Sequence, residues 1–250
     1  MTELLPLVPD FKASGWRQDD PVAHEAEGEF ARARPGVLRR DKNACRFCGF
    51  RMDDKWVKGT EAAYYRQVHH LNNDHHDNRP ENLVTACMHC HAVHHVGLWG
   101  SKGEAMLAWL PEIPQYAVSH LHRTIAFARK TINVTPKGAS HQRVDADGTR
   151  FLDAVNALAD RIAERVEVAR EKLGTSGLDD LVAILESSDA LYRDRTRFLA
   201  GFRVVFGDTH KGPGGIDVMP KVIDAMRRGP YSPVPHNTWL EIARQAGVGV

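Results

Sequence analysis

Four cysteines in two closely spaced pairs are the residues whose spacing most clearly indicates chemistry. Cys45 and Cys48 form one CxxC pair and Cys87 and Cys90 the other, and the chain of 250 residues contains no further cysteine. Each pair presents two thiolates from a tight turn, and together they supply the tetrahedral four-sulfur shell that structural zinc prefers. Gly49 helps the first turn to close. We predict a structural Zn²⁺ site, because a closed shell of thiolates leaves no position for water.

The compartment of the protein bears on this interpretation of the cysteines. The first residues, MTELLPLVPDF, lack the basic head and apolar run of a secretory signal, and no stretch approaches the roughly 18 to 20 apolar residues of a membrane-spanning helix. We therefore expect a cytoplasmic protein without membrane insertion, in which clustered cysteines favour a metal over disulfides. An iron–sulfur cluster uses the same four ligands, and buried free thiols without metal are a further alternative.

Histidines are dense in the same region, with eight of the fourteen between positions 69 and 95. His91 and His95 are four residues apart, so on a helix both face one side and can bind one divalent ion. His69 and His70 are neighbours on a predicted strand, where successive side chains face opposite ways, so that one can bind the metal and the other a substrate water. Neutral imidazole can deprotonate that water near pH 7. A general base beside a metal is the arrangement that phosphodiester hydrolysis requires.

The order of these residues resembles the HNH nuclease motif, also called ββα-metal. The resemblance is carried by His69-His70, by Asn82 nine residues before His91, and by His91-x-x-x-His95, framed by the two cysteine pairs. It implies that His70 is the general base and that the side-chain amide of Asn82 fixes the loop that orients this base. It also implies that His69, His91 and His95 hold a catalytic Mg²⁺ or another divalent ion.

Four more histidines of this region, His75, His76, His89 and His94, have no role in that motif. We expect them to be exposed on loops and helix faces. His75 or His76 is also an alternative metal ligand or phosphate contact.

Short motifs carry a second resemblance over about residues 36 to 206, whereas the HNH motif covers about residues 36 to 99. They are Arg40-Asp41 before CRFCGF, NLVTAC before the second cysteine pair, the Leu110-Pro111-Glu112 segment, and REKLG in the helical part. Together they are similar to the IcmJ/DotN family of type IVB secretion and conjugation systems. This similarity implies a zinc-stabilised scaffold in a coupling complex built on a coupling-protein ATPase, and recruitment of a cytoplasmic protein to the inner membrane.

The two resemblances lead to two hypotheses. Secretion-system members of the second family commonly lack the catalytic histidines, whereas this sequence has all of them. One hypothesis is an IcmJ/DotN-like protein whose HNH module cuts nucleic acid, with DNA as the favoured partner. The other is a non-catalytic adaptor that binds a protein partner and whose histidines hold metal without turnover.

The distribution of charge supports contact with nucleic acid near the cysteines. The formal net charge is only +1, but residues 1 to 30 carry a net charge of −5 and residues 31 to 100 a net charge of +4. We expect non-specific contacts to the phosphate backbone, since no segment resembles a base-reading helix. The candidates are Arg39, Arg40, Arg46 and Arg66, with Arg51, Lys55 and Lys58 nearby.

The sequence pattern also predicts the elements that position these residues. We expect an α+β fold, in which a small zinc-stapled ββα-metal module precedes a mainly α-helical C-terminal domain. The predicted segments are an irregular acidic arm over 1–30, a zinc-binding HNH domain over 31–114, a helical domain over 115–206 and a Gly/Pro-broken helical tail over 207–250. Prolines and a glycine interrupt the arm, which we expect to pack loosely on the body. Apolar periodicity and breaker residues predict helices at 29–41, 115–133, 147–172, 178–187, 190–206, 216–227 and 236–246.

Overall fold

The computed structural model describes residues 3–11, 25–53, 55, 64–132, 146–175, 178–211, 215–231 and 241. The helices of this part are α1 (Glu27–Arg40), α2 (Met88–Val93), α3 (Val96–Ser101), α4 (Gln115–Ile132), α5 (Ala146–Leu173), α6 (Leu178–Glu186), α7 (Asp189–Arg193), α8 (Arg195–Phe198) and α9 (Met219–Arg228). Its strands are β1 (Arg66–His70), β2 (Leu83–Cys87), β3 (Ala105–Trp109) and β4 (Phe202–Phe206). Helices with two small antiparallel sheets confirm the predicted α+β class. Among the described helices, none has the length and apolar character needed to cross a bilayer.

A hairpin followed by a helix forms the centre of the cysteine and histidine region. Strands β1 and β2 pair antiparallel, with Arg66 opposite Cys87 and His70 opposite Leu83. β2 is buried along its whole length, as its sequence LVTAC would require, and it leads directly into α2. The second cysteine pair therefore lies at one end of the hairpin and the paired histidines at the other.

Helix α1 packs on this hairpin, which confirms the predicted helix at 29–41 with a start two residues earlier. Its Val37 and Leu38 are buried in one cluster with Val68 of β1 and Leu83 of β2. Each fully buried aliphatic side chain of this kind contributes about 1.5 to 3 kcal/mol. The cluster fixes the helix against the strand that carries the histidine pair.

Residues 3–11 of the predicted arm over 1–30 form no helix or strand, whereas residues 27–30 of it belong to α1. The expectation that the arm packs loosely is wrong for residues 3–11. Leu5 N–H donates to the Arg46 carbonyl, at 2.8 Å. Asp10 accepts from Val96 N–H and donates to the Val93 carbonyl, at 3.0 and 3.1 Å. Phe11 is completely buried among apolar side chains. The arm is held because its backbone supplies hydrogen bonds at the junction of α2 and α3, a long-range contact that its local composition does not indicate.

Residues 202–206 form a strand, and the prediction of one helix over 190–206 is wrong. Within residues 190–206 the last helix is α8. Gly201, with a φ of +91°, then turns the chain into β4. β4 then pairs antiparallel with β3. Its sequence FRVVF is rich in β-branched and aromatic residues that suit a strand, but its partner lies far away in the chain. The resulting sheet joins residues on both sides of the boundary predicted at 114/115.

The long helices follow the predicted apolar stripes. Those predicted at 115–133 and 147–172 are confirmed as α4 and α5, which share a core that includes Val118, Ile125 and Phe151. Helix α4 also contacts α2, the helix that carries Cys90.

Three further predictions concern the C-terminal half. The helix predicted at 178–187 is confirmed as α6, and the one predicted at 216–227 is present as α9, displaced by a few residues. The helix predicted at 236–246 falls almost wholly outside the described residues.

Candidate metal centres

The four cysteines form one buried cluster, as their spacing predicts. Their sulfurs all lie within 4.8 Å of one another, and the Sγ atoms of Cys48 and Cys87 are 3.8 Å apart. A tetrahedral zinc site with Zn–S bonds of about 2.3 Å places its sulfurs about 3.8 Å apart. The cluster is therefore a site that can hold a structural zinc.

Local backbone structure presents the first cysteine pair. Cys45 N–H donates to the Phe50 carbonyl at 2.9 Å, and Gly49 N–H donates to the Cys45 carbonyl at 2.8 Å. Gly49 has a φ of +74°, the left-handed conformation that glycine adopts without strain. The second pair comes from the end of β2 and the first turn of α2, so the cluster joins two elements that are distant in sequence.

Cys87 lies in an electrostatic environment that favours thiolate. Burial raises the pKa of its thiol, but hydrogen bonds from the other three cysteines and the positive charge of Arg123 outweigh it. The pKa of Cys87 consequently lies well below its ordinary value. Arg123 comes from α4 and was not among the predicted site residues.

A second group of metal-binding side chains consists of His69, His91 and His95. A ring nitrogen from each lies within 4.8 Å of the others, and the Nε2 atoms of His91 and His95 are 3.4 Å apart. Three imidazole nitrogens that converge in this way can hold one divalent ion. This is the same trio that the sequence spacing singles out.

One detail of the histidine group differs from the prediction. His91 lies on α2, but this helix ends at Val93, and His95 occupies the junction before α3, with φ −135° and ψ 41°. The two side chains meet because a turn at His94 brings the junction back toward the helix, where His95 N–H donates to the Ala92 carbonyl at 3.0 Å. A regular helix through both residues was therefore the wrong expectation for the backbone.

Burial keeps the three rings uncharged at neutral pH. Desolvation, followed by the charges of neighbouring histidines, holds the pKa of His69 and of His91 well below 6.5. Desolvation lowers the pKa of His95 to about 4, and Asp10 opposes this shift. Neutral imidazoles are the form that binds metal ions.

The histidine group opens on a cleft of about 220 Å³. The residues around this cleft are Phe30, Arg34, Arg66, Gln67, Val68, His69, His70, Asn73, His75, His91 and His95. His70 lies 3.0 Å, Nε2 to Oδ1, from Asn78, and its ring stacks on Phe30 with centroids 5.3 Å apart. The structure thus brings His70 to the same cleft as the three possible ligands, although the strand alternation separates its side chain from that of His69.

Asn82 is tied to the loop between the two strands. Its Nδ2 donates to Asn72 Oδ1 and to the Asp77 carbonyl, each at 2.8 Å, and its Oδ1 accepts from Asn72 N–H at 3.1 Å. The loop held in this way carries Asn78, the partner of His70.

Asp10 of the arm connects this loop to the C-terminal half. Its carboxylate accepts hydrogen bonds from Asn73 Nδ2 and from the Tyr192 hydroxyl. Asp10 is buried, and its negative charge acts on His95. Sequence reasoning missed this residue, because nothing in the acidic arm distinguishes it from its neighbours.

The remaining histidines are less exposed than predicted. His75 and His89 are both buried, so the expectation of exposed side chains is wrong for them, while His76 is exposed. His94 is partly buried, and its ring stacks on that of His69 with centroids 4.0 Å apart. His75 lines the cleft, and its ring packs against that of His70 with centroids 5.1 Å apart.

The predicted phosphate-binding arginines have different environments. Arg66 is buried and donates to Asn43 Oδ1 at 2.8 Å, and Arg46 forms an ion pair with Asp41 at 3.4 Å. Arg40 donates to the carbonyl oxygens of Pro80 and Leu83. These contacts connect α1 and the first cysteine turn to the hairpin, and phosphate binding by these side chains stays a prediction.

Three more basic residues complete the predicted group. Arg39 and Arg51 are exposed, as is Lys55, whereas Lys58 lies outside the described residues. Arg34 was not singled out from the sequence, yet it lines the cleft and donates to the Arg66 carbonyl at 2.7 Å.

Comparison with known proteins shows that the chain is similar to a curated protein over part of its length. Over 102 residues the chain is 32% identical to the type 4 apparatus protein DotN of Legionella pneumophila. The match covers 40% of this chain and 42% of DotN, so less than half of that relative is spanned. No family model matches the chain. The chain is therefore related to DotN over part of its length and contains a buried four-cysteine cluster that can hold zinc.

Proposed function

We propose that this chain is an IcmJ/DotN-like zinc protein whose HNH module hydrolyses phosphodiester bonds of nucleic acid with Mg²⁺ or another divalent ion. The convergence of His69, His91 and His95 beside a cleft that His70 also lines is the observation that carries this proposal. Three protein ligands leave coordination positions for substrate, in contrast to the four sulfurs of the cysteine cluster. His69, His91 and His95 would hold the divalent ion, which when bound would supply stabilisation of the charge on the phosphate and on the leaving oxygen.

His70 is the general base in this proposal. If Asn78 Oδ1 accepts the hydrogen bond at 3.0 Å, Nε2 of His70 carries the ring proton and Nδ1 is the nitrogen that can take a proton from water. Stacking on Phe30 and the contact with Asn78 hold the ring in one orientation. Asn82 contributes by fixing the loop that carries Asn78.

Positive charge at the cleft supports an anionic substrate. Arg34 and Arg66 both line it, and guanidinium groups suit phosphate oxygens through charge and paired donors. Contacts from arginines to phosphates carry no sequence information, so we propose non-specific binding along the nucleic-acid backbone. Arg39 is exposed on the same helix as Arg34 and is proposed as a further contact.

Plasmid nicking tests the proposal. We expect the purified protein to nick plasmid DNA with Mg²⁺, Mn²⁺ or Ni²⁺, and His70→Ala to nick at least about 100-fold more slowly, since general base catalysis contributes about 10² to 10⁴ in rate. Leu71→Ala is the matched control, because Leu71 follows His70 directly, is exposed and carries no group that can bind metal or move a proton, so it should leave the rate unchanged. Absence of nicking by the wild type, or equal nicking by His70→Ala, contradicts the proposal.

A second candidate function is a zinc-stabilised adaptor of a type IVB coupling complex. The partial identity to a type 4 apparatus protein favours it. In this proposal residues 31–114 form the zinc module, residues 115–206 add a helical surface, and the cytoplasmic protein is recruited to the inner membrane by a coupling-protein ATPase. Co-purification with that ATPase tests it, and the His70→Ala variant should bind equally well. Failure of both wild type and variant to bind contradicts the adaptor role.

A further inference from the structure

Arg123 is an unusual residue of α4, because its side chain is completely buried, with 0% exposure. A charged guanidinium removed from water costs several kcal/mol unless an opposite charge and hydrogen bonds compensate it. In the described part of the chain, Arg123 forms no ion pair with an aspartate or glutamate, and the sulfur atoms of Cys87 and Cys48 lie within reach of its guanidinium. The compensating charge must therefore come chiefly from sulfur.

The contacts of Arg123 lead to the cysteine cluster. Its Nη1 donates to Cys87 Sγ at 3.2 Å, and its Nη2 reaches Cys48 Sγ at 3.6 Å. The guanidinium also lies over the Phe50 ring, 4.1 Å from the centroid. These two sulfurs belong to different cysteine pairs, so one guanidinium bridges both halves of the cluster.

His120, one helical turn earlier on α4, holds this guanidinium in place. Its Nδ1 lies 2.8 Å from Arg123 Nη2, and its Nε2 lies 2.9 Å from the Cys48 carbonyl oxygen. Arginine can only donate hydrogen bonds and a carbonyl oxygen can only accept them. The His120 ring must therefore be neutral, with Nδ1 as acceptor and Nε2 as donor. His120 and Arg123 thus fasten α4 to the turn that carries Cys48.

The charge of the filled cluster explains this arrangement. Four thiolates around Zn²⁺ carry a net charge of −2, which is costly in a buried position, and one guanidinium reduces it to −1. The hydrogen bonds from Arg123 would be weaker if the cysteines were neutral thiols, because hydrogen bonds to charged groups are roughly twice as strong as those to neutral ones. The buried arginine is therefore suited to a metal–thiolate centre.

We propose that Arg123 is a positioning and charge-compensating residue of the zinc site, which binds the Cys48 and Cys87 thiolates and slows the release of the metal. The proposal gives α4 a role beyond packing. None of the four cysteines lies on this helix, but Arg123 of α4 contacts two of their sulfurs. It is independent of nuclease activity, since it concerns the cysteine cluster and not the histidine group.

Zinc release from the full-length, zinc-loaded protein tests this role. Removal of an outer-shell partner typically weakens metal affinity by about 10- to 100-fold. Because we expect this loss to act on release, zinc transfer to an excess of a colorimetric chelator should be faster by about the same factor for Arg123→Met than for the wild type. Arg123→Lys should be intermediate, because it keeps the charge but not the two-pronged donor. In Co²⁺-substituted protein, the sulfur-to-metal charge-transfer band should shift in Arg123→Met.

Arg129→Met is the matched control on the same helix, since Arg129 pairs with Asp208 away from the sulfurs. It should leave both the release rate and the Co²⁺ spectrum unchanged. If Arg123→Met does not fold, Arg123→Lys and His120→Gln carry the test with the same measurements. Release rates and spectra that match the wild type in these variants, or equal changes in Arg129→Met, would overturn the proposal.

Discussion

The cysteine cluster and the histidine group are both built on hairpin β1–β2 and helix α2, where Cys90 and His91 are neighbours, yet they differ in access. The cluster is closed, with four buried sulfurs and no coordination position left over. The histidine group offers three nitrogens at the edge of a cleft of about 220 Å³. The difference is consistent with the proposed separation between a zinc that stabilises the fold and a divalent ion that is available to substrate.

The two sites also have opposite compensating charges. A buried cation, Arg123, contacts the sulfurs of the cluster, where bound zinc leaves a negative centre. A buried anion, Asp10, acts on His95 in the histidine group, where neutral ligands would leave a bound divalent ion positive. Each charge reaches its site from another part of the chain, α4 in one case and the N-terminal arm in the other.

A first test compares the histidine group with His122, a buried histidine of α4 that lies outside that group. The quantity measured is the stability of the protein at acid pH. Desolvation lowers the pKa of His122 to about 4, below its ordinary 6.5, and its Nε2 accepts from Phe206 N–H. The folded state therefore binds fewer protons, and the stability from neutral His122 is complete above pH 6.5 and is lost as the pH falls toward 4.

We expect wild type to lose about 2 kcal/mol more unfolding free energy than His122→Gln between pH 7 and pH 5. Glutamine can accept the same hydrogen bond without gaining a proton. Urea unfolding of both proteins at the two pH values measures the difference. Equal losses in the two proteins would show that His122 does not titrate as its burial requires.

Replacement of Asp10 tests whether the anion belongs to the histidine site. Asp10→Asn keeps the shape but removes the charge near His95, and we expect about tenfold weaker binding of Mn²⁺ or Ni²⁺ at the histidines. Zinc content of the cysteine cluster should stay at the wild-type level. Asp208→Asn, at a more exposed ion pair, is the control for loss of one negative charge. Calorimetric titration that gives equal affinities for Asp10→Asn and wild type would remove Asp10 from the site.

Much of this arrangement could be predicted from local sequence. Both cysteine pairs, the pair His91 and His95, and the apolar stripes of α4 and α5 depend on spacings of three to four residues, which report directly on turns and helix faces. The third residue of the trio, His69, was assigned through the order of residues in the HNH motif. The strand β4 could not be predicted in this way, because its partner β3 lies far away in the chain.

Long-range contacts also explain the other omissions. Arg123 lies within an amphipathic helix in which an arginine is expected to face solvent, and only the packing of α4 on the cluster reveals its contacts with sulfur. Asp10 similarly gains its place from Tyr192 and Asn73, which are distant in sequence. His95 was assigned to a helix that ends before it, because the spacing of four from His91 arises from a turn as well as from a helix.

The division of labour between the two sites is the central claim, and metal analysis combined with thermal melting of two variants tests it most directly. Cys45→Ala should lose one zinc per chain. Its hairpin region should no longer fold, and the cooperative melting transition of that region should disappear, since the zinc contributes directly to folding. His91→Ala should keep that zinc and melt close to the wild type, with loss of metal binding at the histidines alone. The reverse order, a folded Cys45→Ala and an unfolded His91→Ala, would contradict the account.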